Sequence, residues 1–110
     1  MRRVLRSIAL WALAVPAAQA ANGLTVPGEL WDRPRTASLV AAQPTIKQSV
    51  AEYLAQPAAQ LLIHHGLGQE ASLQAEELRA WLMALAVDSA RIRLVGDLKP
   101  TDLIVIEMAQ

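Results

Sequence analysis

The sequence predicts an α+β fold, a two-layer sandwich with two helices on one face of a mixed sheet. Three observations predict it. Apolar residues recur at helical spacing in two segments, 44–57 and 70–87. Short apolar or alternating runs at 37–41, 60–65, 91–95 and 102–108 have the length of strands. The resulting order, β-α-β-α-β-β, makes each β-α-β pass a parallel, right-handed crossover. The short turn before the last run makes the final two strands antiparallel.

Residues 1–20 read as a signal peptide rather than as part of this fold. Met1-Arg2-Arg3-Val4-Leu5-Arg6 is a basic start and Ile8 to Val15 an uncharged apolar run. Pro16 interrupts it, and Ala18-Gln19-Ala20 has the small-x-small form of a cleavage site. The run is shorter than the roughly 20 apolar residues a membrane span needs. No cysteine follows that could carry a lipid. The expected product is a periplasmic chain from Ala21, with no membrane anchor after cleavage. It keeps seven basic residues, Arg33, Arg35, Lys47, Arg79, Arg91, Arg93 and Lys99, against ten acidic ones, a net charge of −3. Such a charge is not the footprint of a nucleic-acid binder. The absence of cysteine also excludes disulfides, thiolate metal sites and a cysteine nucleophile.

Residues 21–36 hold Gly23, Pro27, Gly28 and Pro34, and so predict an irregular arm ahead of a domain over 37–110. Trp31 sits in this arm among Arg33 and Arg35. It either folds back to cap the core or docks a partner, since aromatics and arginines are enriched at interface hot spots. Ala37 to Ala41 is the expected first strand. Pro44 suits the first position of a helix, whose face is Ile46, Val50, Tyr53 and Leu54 and whose stop is Pro57. Gln60 to His65 is a buried strand bounded by Gly66-Leu67-Gly68. The second helix carries the stripe Leu78, Trp81, Leu82 and Leu85, with Leu73 or Gln74 near its start. Its acidic N-terminal half suits the helix dipole. Arg91 to Val95 alternates, 96–100 is a turn, and Asp102 to Met108 is a β-branched strand expected to be buried on both faces.

Tyr53-Leu54-Ala55-Gln56-Pro57 precedes the run Leu61-Leu62-Ile63-His64-His65. Leu78-Arg79-Ala80 follows on the helix, and Leu85 to Ile92 leads into the next strand. Over roughly 37–108 this series resembles the OmpA-like peptidoglycan-associated domain. In that family an Asp after the strand and an Arg of the helix bind the diaminopimelate group of peptidoglycan. Arg79 stands at the Arg position, His65 at the His position and Ser72 at the Asn position. The Asp position holds Leu67, and the loop between strand and helix is shorter. The resemblance therefore implies a ligand site of His65, Ser72 and Arg79 that lacks its acidic half.

Other constellations carry less chemistry. His64 and His65 are adjacent on a strand and point to opposite faces, so they cannot share one metal from regular geometry. A metal site would need a third ligand such as Glu70 or Glu107, and no metal or cofactor is expected. A domain of this size also leaves little room for a ligand-sized cleft. The sequence predicts a small exported, non-catalytic binding or accessory protein of the bacterial cell envelope. Its expected partner is another envelope protein, met through Trp31, Arg33 and Arg35. One alternative is weak peptidoglycan binding through His65, Ser72 and Arg79. Another is a small hydrolase or metal-dependent activity using His64 or His65.

Overall fold

A computed structural model describes residues 23–110. The expected signal peptide and the first two residues of the arm lie outside them. The strands are β1 (Gly23–Thr25), β2 (Gln60–Gly66), β3 (Ile92–Leu98) and β4 (Val105–Ala109). The helices are α1 (Ala37–Ala42), α2 (Pro44–Ala55) and α3 (Gln69–Ala84), and single 3-10 turns occupy Gly28–Asp32 and Ser89–Arg91. None of these helices is long and apolar enough to cross a membrane. The strands form one mixed sheet in the order β1-β4-β2-β3. β2 and β3 are parallel, as a crossover through α3 requires, and β4 runs antiparallel to both β2 and β1. The fold is the α+β two-layer sandwich that the sequence predicts.

Its first strand is not where the sequence places it. Residues 37–41 form a helix because Thr36 caps the segment: its side chain accepts a hydrogen bond from the Leu39 amide at 3.2 Å. Three of the six residues of α1 are alanine, the strongest helix former. Gln43 then breaks the chain with extended dihedrals and caps α2 in turn, accepting from the Ile46 amide at 3.0 Å. Pro44 occupies the first turn of α2, where its missing N–H costs nothing. The first strand is instead β1, taken from the arm. Val26 continues this attachment through its amide, which donates to the Ile104 carbonyl at 2.8 Å.

The buried faces are also turned slightly from the expected ones. α2 buries Ile46, Ser49 and Tyr53, while Leu54 stands exposed. Ser49 is tolerated there because its hydroxyl donates to the Thr45 carbonyl at 2.8 Å. α3 buries Ala75, Leu78 and Leu82, with Trp81 and Leu85 half-buried beside them. Leu73 is exposed. The helix closes on Ala86 at φ 81°, with the Val87 amide donating back to Leu82 at 3.0 Å and the Ala86 amide to Met83 at 3.1 Å.

The expected turn at 96–100 begins three residues later, because β3 runs on through Gly96 and Asp97 to Leu98. β3 and β4 are not a hairpin: the chain crosses over the end of β2, and β2 separates them. Leu61 and Ile63 of β2 pair with Met108 and Ile106 of β4 and with Ile92 and Leu94 of β3. These side chains share the face that α2 and α3 cover. Leu62 and His64 occupy the other face with Arg93, Val95, Val105 and Glu107. Among the described residues no helix covers that face. β4 is therefore buried on one side only, with Ile106 inside and Glu107 half-exposed.

The arm is part of the core. Val26 is fully buried and Leu30 nearly so, and Trp31 packs against the same cluster. Arg35 anchors it. Its guanidinium makes an ion pair through Nε with Glu77 Oε2, with Nη2 reaching Oε1 at 3.1 Å, and lies 5.4 Å over the Trp31 ring. Nη1 donates to the carbonyls of Trp31 at 3.2 Å and Arg33 at 2.8 Å. Glu77 also accepts from the Trp81 indole N–H at 2.9 Å. The hydrogen bond from Arg35 holds the Glu77 carboxyl below its ordinary range, against a smaller opposing effect of partial burial. This stabilisation is present above the carboxyl's unfolded value of 4.5 and is lost as pH falls through its lower folded value. Trp31 and Trp81 are the only tryptophans of residues 21–110, and they touch the two ends of this ion pair, Trp81 the Glu77 carboxylate and Trp31 the Arg35 guanidinium. Tryptophan fluorescence should therefore show an acid-side transition below about pH 4.5, absent from Glu77→Gln. The same transition in the variant would refute the assignment.

Candidate functional site

Folding the arm onto the sheet creates a cleft of about 570 Å³. One wall is the 3-10 turn with Trp31 and Asp32, the second is the start of α3 with Glu70 and Gln74, and the third is the β3–β4 loop 100–104. Ligand sites run from roughly 300 to 1,000 Å³, so the domain has the room that its length argued against. The sequence hides this cleft because its walls are some seventy residues apart in the chain and only the arm's return joins them. Asp32, Glu70 and Asp102 line it together with Trp31, Leu103 and Ile104, and no basic side chain does. Asp102 also shapes the loop, its carboxylate accepting from the Lys99 amide at 2.9 Å. A smaller groove of about 320 Å³ runs between the arm and the α1–α2 junction, with Leu30, Arg33 and Leu39 in its lining.

The structure distributes the expected partner residues. Trp31 lines the larger cleft and Arg33 the smaller groove. Arg35 lines neither and is engaged with Glu77. The residues of the implied ligand site are spread further. His65 is buried on the helix-covered side and donates through Nδ1 to the Gly66 carbonyl at 2.8 Å. Ser72 lies in the first turn of α3, its amide donating to the Gly68 carbonyl at 3.0 Å. Arg79 follows two helical turns later, which is about 10 Å along the axis. No hydrogen bond joins any two of the three, and none of them lines either cleft.

The other histidine gathers a cluster. His64 lies on the uncovered sheet face, with its side chain 17% exposed. Its Nδ1 is 2.9 and 3.0 Å from the two Asp97 carboxylate oxygens, and its Nε2 is 2.8 Å from Glu107 Oε1. Carboxylates only accept, so two such contacts require an N–H on each ring nitrogen, the imidazolium form. Partial burial alone would lower the His64 pKa. The hydrogen bonds and negative charges of Asp97 and Glu107 outweigh that and hold it above the usual histidine value. The two carboxylates sit against opposite edges of the ring, which is the geometry of an ion-pair chain and not of a chelate. Among the described residues no group of three or more such side chains is arranged to hold a metal ion. His64 and Glu107 are both visible in the sequence as titratable residues of strands. Asp97 escapes it because the glycine before it signals a turn.

The chain matches no family model, no curated protein and no solved structure.

Proposed function

We propose that this protein is a small exported accessory protein of the bacterial cell envelope that binds a protein partner without catalysis, in the cleft beside α3. The observation that carries the reading is the cleft's lining. Three carboxylates line it together with the apolar Trp31, Leu103 and Ile104, with no basic side chain among them. That combination favours a segment presenting a lysine or arginine whose aliphatic stem packs on the apolar residues. Export rests on the signal-peptide layout of residues 1–20. The reading does not depend on the OmpA-like resemblance.

Affinity capture from an envelope fraction tests it, comparing the unaltered protein with Glu70→Lys and with Arg93→Glu. Glu70 lines the cleft, whereas Arg93 lies on the uncovered sheet face. A partner captured by the unaltered protein and by Arg93→Glu, but lost with Glu70→Lys and at high salt, supports the proposal. Sedimentation with purified peptidoglycan is the opposing measurement. Binding there that disappears in Arg79→Ala would replace this reading with a cell-wall one.

A further inference from the structure

The His64 cluster and the cleft share one piece of chain. The β3–β4 loop, residues 99–104, supplies the cleft's third wall through 100–104, and groups that contact His64 stand on both of its stems. Asp97 lies two residues before the loop and Glu107 three residues after it. The loop also touches β2 directly. A Cβ placed on Gly66 would come within 2.9 Å of the Lys99 carbonyl oxygen and 3.2 Å of Pro100 Cα. So His64 on β2 reaches β3 through one ring nitrogen and β4 through the other, and the loop spans between those contacts over the end of the same strand.

We propose that His64 is a pH-sensitive brace on this wall of the cleft. As an imidazolium it donates to both stems at once. As a neutral imidazole it has a single N–H, so one carboxylate loses its donor and faces a ring lone pair instead. One stem then keeps its ladder bonds to the sheet but loses this side-chain tie, and the loop beyond it loosens. The proposal deepens the cleft reading above and rests on it for its consequence, weaker partner binding at alkaline pH, but the brace itself can be measured with no partner present.

The charged groups around His64 fit this account. β3 brings Asp97 and, four residues earlier on the same face, Arg93; β4 brings Glu107. β1 contributes no titratable residue, its Thr25 lying opposite Val105. The remaining neighbours on that face, Leu62, Val95 and Val105, are apolar. Within the loop, Lys99 and Asp102 hold each other through the Lys99 amide to Asp102 Oδ2 at 2.9 Å and the Asp102 amide to the Lys99 carbonyl at 3.0 Å. Among these groups His64 is the one of the residue type that switches charge near neutral pH. The sign follows from its raised pKa: the bracing is complete below the unfolded value of 6.5 and is lost as pH rises through the higher folded value.

Amide hydrogen exchange followed by NMR between pH 5.5 and pH 9 tests it, corrected for the intrinsic pH dependence of exchange. The Lys99 and Asp102 amides are the reporters, with the amide of Val26, which donates to Ile104 at the end of the loop. Ring 15N shifts of His64 and His65 are recorded in the same samples. The expected result is a loss of protection at these amides of about threefold to fivefold, the scale of one partly exposed charge-assisted hydrogen bond. The loss should track the His64 ring titration and be absent from His64→Gln. Protection that is unchanged in the unaltered protein would overturn the proposal. So would an equal loss in His64→Gln, or a His64 ring still protonated at pH 9. A failed capture experiment with intact pH-dependent exchange would instead sink the partner reading and leave the brace standing.

Discussion

Ile63→Ala is expected to cost the domain about 2–5 kcal/mol, the range for truncating a fully buried aliphatic side chain to alanine. Ile63 is fully buried on β2, an interior strand of the sheet, between Ile106 on one side and Leu94 on the other. Leu78 and Leu82 of α3 belong to the same buried cluster. Removing its outer carbons takes away their transfer free energy and leaves a space that paired backbones on both sides cannot collapse to fill. A domain of this size has roughly 5–15 kcal/mol in total, so the variant should unfold at markedly lower urea. Leu73→Ala, at a position 62% exposed, should shift stability by no more than about 0.5 kcal/mol. Urea titrations followed by circular dichroism measure both. A loss below about 1 kcal/mol at Ile63 would contradict the packing described.

The second large effect is removal of the arm. A chain beginning at Ala37 is expected not to fold cooperatively. It lacks Val26 and Leu30, both buried, and the half-buried Trp31. Each buried side chain of this kind contributes about 1.5–3 kcal/mol, so their sum approaches the whole stability of a small domain. The truncation also removes β1 and leaves the backbone groups of Val105 to Glu107 unpaired along β4. An open apolar edge pairs with other chains, so the fragment should elute as aggregate in gel filtration. A monomeric fragment with the melting temperature of the full chain would show that the arm is an appendage after all.

Long, strongly patterned segments are legible in the sequence, and short ones borrow their structure from elsewhere. β2 and α3 fall within a few residues of their expected bounds, because Gly66-Leu67-Gly68 ends one and apolar spacing defines the other. Ala37 to Ala41 has no such pattern, and a single Thr36 side chain decides it in favour of helix. β1 offers even less, three residues whose strand character exists only through Glu107, Ile106 and Val105 opposite them. The two candidate sites differ in the same way. The residues of the His64 cluster carry recognisable chemistry, yet nothing local says that positions 64, 97 and 107 converge. The cleft was less visible still, since its existence depends on where the arm returns.

The pairing of β1 with β4 has a consequence for how the molecule assembles. It joins residues 23–25 to residues 105–107, so it encloses nearly all of the intervening polypeptide. Contacts this distant along the chain form late, after loop closure has been achieved by nearer ones. During synthesis, the first of these segments to emerge has no partner until the last one follows. For that interval β1 stays free and Val26 and Leu30 are uncovered, so two side chains that end in the core wait on the last strand for their cover.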